Sequence, residues 1–333
     1  MSVTTKDLAE ICGVSRTTVI RALHGTGRIS AQTKQRILET AGRLGYEPDL
    51  AARSLVLGKS MMIGVVVVDL RNLYFPKIVD AIGRRVLEDD YILNITIHED
   101  NKEAERKLIR MLTGHRVDGL ILNPINKGEA FYEMMKKVKV PYCILGIDEF
   151  AGCAAVGVDE EAAGADAARY ILEKGYRNSA FVVPPLYDAD GVLNLGHHRR
   201  LKGFISVMEN SGCSYHVIYD KDGRPGYLQQ TLALVREAGR ENKLALLCSG
   251  AMFAMDIVGA VRQHGYYAPE DYGIMAFDGI EEYQSWSPRL TSLDNHVEKM
   301  GFEAGDLVIR MIRGEASERR IVIPHNIVEG QTL

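Results

Sequence analysis

Thr4-Thr5-Lys6-Asp7-Leu8-Ala9-Glu10-Ile11-Cys12-Gly13-Val14-Ser15-Arg16-Thr17-Thr18-Val19-Ile20-Arg21-Ala22-Leu23-His24-Gly25 is the stretch on which the reading of this chain turns. Thr4 and Asp7 have the spacing of a capping box, and Leu8, Ile11 and Cys12 follow at helical spacing. Gly13 stops that helix where the backbone must take a left-handed turn. Ser15 starts a second helix with Val19, Ala22 and Leu23 inward, ended by Gly25 and Gly27. Ala9, one turn before the stop, lets two helices approach, and Val14 and Val19 fill the contact, which is the spacing of a helix-turn-helix unit. Ser30 caps a third helix with Ile37, Leu38, Ala41 and Leu44 on one face and Gly45 as its stop. A plain three-helix core is the bland reading of the same pattern.

Charge gives that head a partner. Residues 1–60 carry nine Lys/Arg against five Asp/Glu, a net of +4, whereas the remainder carries 31 against 39, a net of −8. A positive end on an acidic body points to a polyanion met at that end. In a helix-turn-helix the second helix enters the major groove of double-stranded DNA. Its outward positions are Arg16, Thr17, Ile20 and Arg21. Arg can bond a guanine edge bidentately, and Thr or Ile can touch a thymine methyl. Thr4, Ser15, Thr18, Ser30 and Thr33 stand at helix starts, where hydroxyl and backbone N–H groups suit phosphates, although each hydroxyl serves equally as a cap.

From Met61 the period changes. Ile63 to Val68 is an apolar, β-branched run of the kind buried on both faces of a sheet, and strands then alternate with helices to Phe277. Two β-α-β series in tandem imply parallel sheets covered by helices, with a ligand cleft at the carboxyl ends of the strands. Asp69, Arg71, Asn72, Tyr74 and Phe75 follow the first strand, Asn123 the third and Asp148 the fourth; Lys221, Asp222 and Asp278 follow later ones, and Arg200 opens a helix. Asp and Asn take adjacent hydroxyls, Arg bridges two more, and an aromatic face covers a sugar ring, so a polyol or sugar leads the effector classes. Lys221 suits an acidic or phosphorylated compound instead. Asp278 reads alternatively as a helix cap, Tyr74 and Phe75 as core, and Trp286 as packing. His197 and His198 point apart on a helix and read as solvent-exposed rather than as a metal pair.

The five cysteines are scattered with no Cys-x-x-Cys pair, which fits reduced thiols and gives no zinc site. Nothing at the N-terminus reads as a secretory signal and no apolar run spans a bilayer, so a cytoplasmic protein without membrane contact is expected. Dinucleotide, P-loop, nucleophile-elbow and His-Glu-x-x-His motifs are lacking, so neither an enzyme nor a cofactor is expected.

The head residues, together with Leu44-Gly45-Tyr46-Glu47-Pro48, Ala51-Ala52-Arg53-Ser54-Leu55, Val117-Asp118-Gly119-Leu120-Ile121, Gly203-Phe204, Phe277-Asp278 and Ser287-Pro288-Arg289-Leu290-Thr291-Ser292, resemble the LacI/GalR family of bacterial repressors over essentially the whole chain. The resemblance implies an all-α helix-turn-helix head (1–47) with a hinge helix (48–60), joined to an α/β core (61–333) of two similar parallel-sheet subdomains of the type I periplasmic-binding-protein kind. The subdomains are expected at about 61–160 plus 280–295 and 161–279 plus 296–333. It implies a homodimer on a pseudo-palindromic operator, with DNA contacts that extend to His24, Tyr46, Ala52 and Arg53, and with Leu55 wedged into the minor groove. Without the family, Leu55 is simply an apolar linker residue. Arg200 and Asp278 match the family's ligand positions, which implies allosteric control by a small polar ligand, a sugar or sugar derivative. Control by a protein such as a phosphocarrier, with a vestigial cleft, is the alternative. The chain departs from the family pattern at Ile20, His24, Asp49, Lys221 and Ser249-Gly250-Ala251, which affects operator sequence and ligand identity.

Overall fold

Helices α1 (Thr5–Cys12), α2 (Arg16–His24) and α3 (Ala31–Leu44) form the head. The computed structural model describes residues 3–46, 58–146, 152–279, 285, 287–316 and 319–333. Contacts divide the chain into two units, Met1–Ser60 and Met61–Leu333. In the head, Thr4 Oγ1 accepts from the Asp7 N–H while the Asp7 carboxylate accepts from the Thr4 N–H at 2.8 Å, a reciprocal cap. Gly13 closes α1 with φ +60°, a conformation that costs a side-chain-bearing residue about 1 kcal/mol. Leu8, Val19 and Ile37 are fully buried at the meeting of the three helices. Arg36 Nη2 donates to the Cys12 carbonyl at 3.0 Å, so α3 satisfies an end group of α1.

Two expected core residues of the head face outward. Ile11 is 55% exposed and Leu38 43% exposed. Ile37, Thr40, Ala41 and Leu44 form the inner stripe of α3, and Leu38 lies about 100° around the helix from Ile37. Thr40 therefore takes a buried place that an apolar count assigns elsewhere.

The second unit holds two six-stranded sheets. Strands β1 (Met62–Val67), β2 (Ile92–Ile97), β3 (Gly119–Leu122), β4 (Tyr142–Leu145), β5 (Ala154–Val158) and β11 (Arg320–Ile323) build the first, in the order β11-β5-β4-β3-β1-β2. Strands β6 (Asn178–Val183), β7 (Ser214–Tyr219), β8 (Leu244–Cys248), β9 (Gly273–Phe277), β10 (Thr291–Asp294) and β12 (Asn326–Val328) build the second, in the order β12-β10-β9-β8-β6-β7. All pairs are parallel except β10 with β12. Helices α4 (Tyr74–Leu87), α5 (Lys102–Gly114), α6 (Gly128–Met135) and α11 (Val297–Ile312) cover the first sheet; α7 (Glu160–Glu173), α8 (Leu195–Ser211), α9 (Gly223–Ala238) and α10 (Ala251–Arg262) cover the second. Each sheet with its helices is called a lobe below.

The C-terminal segments are distributed differently from the expectation. Residues 280–295, expected in the first lobe, contribute β10 to the second sheet, where it pairs with β9 and β12. Residues 296–333, expected in the second lobe, divide. Helix α11 packs on α4, and β11 pairs with β5 in the first sheet, which leaves β12 to the second. The backbone therefore passes between lobes after β5, after β10 and between β11 and β12. Which sheet a strand joins depends on a distant pairing partner, so local pattern does not reveal it.

Helices α7 and α8 pack most closely of all, backbone against backbone. A Cβ on Gly203 would lie 2.0 Å from the Glu161 carbonyl oxygen, and one on Gly164 2.0 Å from that of Arg200. Gly203→Ala forces these helices apart and should cost ~1–3 kcal/mol, at the scale of an overpacked core. Urea unfolding of the core should show a lower midpoint at unchanged slope, and a wild-type midpoint would show that the contact is dispensable.

Candidate functional site

The outer face of α2 is open. Arg16, Thr17 and Arg21 are exposed and Ile20 is half-buried. Arg16 Nε donates to Thr5 Oγ1 at 2.9 Å, which ties the start of α2 to α1 and leaves both terminal nitrogens of the guanidinium to other acceptors. The hydroxyls expected near phosphates are engaged in caps. Ser15 Oγ accepts from the Thr18 N–H at 3.1 Å and lies 2.9 Å from Thr18 Oγ1. Ser30 Oγ accepts from the Thr33 N–H at 3.2 Å and donates to Thr33 Oγ1 at 2.8 Å. Tyr46 packs against the head's core. The His24 side chain and residues Ala52, Arg53 and Leu55 lie outside the described residues, as do Asp148 and Trp286.

In the core, Arg200 is 6% exposed, and it organises a polar cluster. Its Nε and Nη2 donate to the Glu160 carboxylate at 2.5 and 3.1 Å, and Nη1 donates to the Ser249 carbonyl at 2.8 Å. The guanidinium lies 4.3 Å from the Phe277 ring centroid, and Nη2 is 3.6 Å from Asp278 Oδ1. Burial would favour discharge, but Glu160 and Asp278 more than offset it and raise the Arg200 pKa. Asp278 takes φ +60°, and its Oδ1 accepts from Asn295 Nδ2 at 2.8 Å. Tyr74 reaches this group from the first lobe. Burial, then the charges of Asp278 and Glu160, raise its phenol pKa. Its hydroxyl lies 3.8 Å from Met300 Sδ.

The structure thus brings together Tyr74, Arg200 and Asp278 of the expected contacts. Phe75 is buried in the first-lobe core with its ring edge-to-face on Tyr74 at 5.1 Å, which gives it the packing role. Asp69 Oδ1 accepts from the Arg71 N–H at 2.8 Å in a local turn, and the exposed Arg71 pairs with Glu99 at 3.5 Å. Asn123 Nδ2 donates to the Leu145 carbonyl at 3.3 Å. Lys221 and Asp222 are exposed, and the Lys221 ammonium lies 5.3 Å from the Tyr219 ring centroid. The helix-cap alternative for Asp278 concerns a segment outside the described residues. Glu160 and Asn295 are members that sequence reading missed. Glu160 sits in the first turn of α7 beside the cap Asp159, where an acid looks like a partner for the helix dipole.

His197 corrects the solvent-exposed reading: neither it nor His198 is exposed, and its Nδ1 lies 2.5 Å from Ser249 Oγ. Burial, then the charge of Arg200, lowers its pKa from 6.5 to about 3. Two shallow grooves of about 520 and 480 Å³ flank α8, but neither is lined by Arg200 or Asp278. Among the described residues no group of three or more His, Cys, Asp or Glu side chains is placed to hold a metal, and no helix is long and apolar enough to cross a membrane.

Because His197 takes up a proton more readily unfolded than folded, its contribution to stability is intact above pH 6.5 and is lost as pH falls toward 3. Melting temperature should therefore decline over that window, and His197→Gln should flatten the decline. An unchanged slope in the variant would show that the imidazole does not titrate with folding.

Residues 4–49 match the model of bacterial regulatory proteins of the lacI family, and residues 168–333 match the periplasmic binding protein-like domain. Catabolite control protein A of Priestia megaterium is 27% identical over 98% of each chain. The HTH-type transcriptional repressor PurR of Vibrio atlanticus is 25% identical over 99% of this chain and 98% of its own. In fold, the chain resembles the lac repressor dimer bound to operator and the anti-inducer ONPF, with a TM-score of 0.87 at 22% identity over 100% and 99% of the two chains. With a capped helix-turn-helix ahead of two parallel-sheet lobes, the chain joins a head of the lacI family of bacterial regulatory proteins to a periplasmic binding protein-like domain, and it aligns from end to end with transcriptional repressors.

Proposed function

We propose that the chain represses transcription as a homodimer on a pseudo-palindromic operator, and that a small polar ligand, a sugar or sugar derivative, controls it from the cleft between the lobes. The observation that carries the ligand half is the convergence of Tyr74 from the first lobe with Arg200 and Asp278 from the second. Polar groups converging from both sides of a cleft are what a polyhydroxylated molecule requires. Control by a protein partner alone needs no such buried arrangement. Ligand-dependent closure of the lobes would change the presentation of the two heads, and it would do so only to the extent that the ligand favours one closure.

Edge strand β2 supports self-association. Ile92, Ile95 and Ile97 are all exposed along it, and apolar side chains on an open sheet edge are a usual site of pairing with another chain. A second copy covering that edge would give the homodimer that an operator of two half-sites requires.

Gel-shift with the chain's own upstream region tests the DNA half. Specific binding should fall steeply with salt, since Lys and Arg contacts release counterions. Absence of binding at low salt would overturn it. Leu55→Ala should lose about tenfold or more in specific operator affinity if the side chain wedges between base steps. Ligand-induced thermal stabilisation should survive in that variant, and a parallel loss of both would assign Leu55 a structural role.

A further inference from the structure

We infer that the cleft selects ligands without net negative charge, hydroxyl- or ammonium-bearing rather than phosphorylated or carboxylated, and that Glu160 sets this selectivity by occupying the charge of Arg200. The inference rests on the small-ligand reading above.

Arg200 is the guanidinium at the centre of the cluster, and three of its five N–H groups are already engaged. Nε and Nη2 face Glu160 at 2.5 and 3.1 Å, Nη1 holds the Ser249 carbonyl at 2.8 Å, and Phe277 covers one face. Asp278 stands 3.6 Å from Nη2, so two carboxylates attend one guanidinium. His197 adds no cation, since its pKa is held far below neutrality. Lys221, which by sequence suits an acidic compound, lies exposed with its ammonium over the Tyr219 ring.

The cluster also holds unpartnered acceptors. Asn295 is 1% exposed; its Nδ2 donates to Asp278, and its Oδ1 has no hydrogen-bond partner among the described residues. Asp278 Oδ2 points to the side of Gly250, where a Cβ would lie 3.8 Å away. These are acceptors that await donors. A hydroxyl or ammonium group supplies donors; a phosphate or carboxylate would set acceptor against acceptor and like charge against like in a poorly solvated space. Glu160 is a positioning residue in this account, because it acts through Arg200.

Isothermal titration of the full-length protein tests this with matched sets of sugars: neutral aldoses, their 2-amino analogues, their terminal phosphates and their uronates. Inorganic phosphate is titrated in parallel against sodium chloride of equal ionic strength, into wild type and into Glu160→Gln. Any sugar that binds wild type should be neutral or ammonium-bearing, favoured over its anionic analogue by about a hundredfold or more. Phosphate should bind wild type no better than chloride, and Glu160→Gln, with Arg200 released, should acquire saturable phosphate binding. Asp278→Asn should shift in the same direction and serves if Glu160→Gln does not fold. Tight binding of a sugar phosphate, a uronate or phosphate to wild type, abolished by Arg200→Gln, would overturn the inference. So would folded Glu160→Gln and Asp278→Asn proteins that gain no phosphate affinity. A sugar panel silent throughout would count against the small-ligand reading, while the phosphate arm still decides the charge selectivity.

Discussion

The core of this protein depends on a buried ion pair that exists because two helices touch. Gly164 and Gly203 have no side chains, so α7 and α8 meet at backbone distance, and Glu160 at the start of α7 falls beside Arg200 of α8. Burying such a pair costs solvation that its own attraction only partly returns, unless further bonds satisfy the remaining donors. Here the Ser249 carbonyl, the Phe277 ring and Asp278 do so. The pair therefore fixes the end of β8, the end of β9 and two helices with respect to one another. Loss of either partner would leave a buried charge uncompensated, a far larger penalty than loss of an exposed pair.

The same cluster lies where the chain changes lobes. Glu160 follows the passage out of β5, and Asn295 follows the end of β10 on the way to α11. A third passage, between β11 and β12, is tied to α7 by His325 Nε2 and Asp166 at 2.9 Å. At the rim, Lys102 of α5 spans the lobes to Asp188 and Asp190 at 2.6 and 2.7 Å. Asp188 and Asp190 are both exposed, so these contacts add little stability individually.

What was legible in the sequence follows from how local each signal is. The head's caps and stops act over three or four residues, and Thr4-Asp7, Ser15, Ser30, Gly13 and Gly45 all stand in the geometry their types require. Strands such as β1 were legible because a β-branched run buried on both faces has few other uses. Sheet membership of β10 and β11 was not, because it rests on pairing with β9 and β5, strands the chain has left behind. Arg200 and Asp278 stood out through resemblance, and Tyr74 through its place after β1. Glu160 and Asn295 carried no mark, since an acid in a helix's first turn and an amide beside a strand end are both commonplace. His197 reads as solvent-exposed because adjacent side chains diverge on a helix, whereas its ring meets Ser249 from another element.

The unpartnered oxygen of Asn295 gives this arrangement its direction. A buried acceptor left without a donor costs about 1–3 kcal/mol. That is the size of a typical coupling energy between an effector site and a distant site. A hydroxyl or ammonium group of the proposed ligand would relieve that cost by supplying the donor that Asn295 Oδ1 lacks among the described residues. Because Asn295 lies just past β10, where the chain returns to the first lobe, such a contact would act directly at the joint between the lobes. Under the proposed control by a small ligand, one that satisfies Asn295 and Asp278 together would favour the arrangement of the lobes that turns those acceptors toward it, and that preference is the differential affinity such control requires.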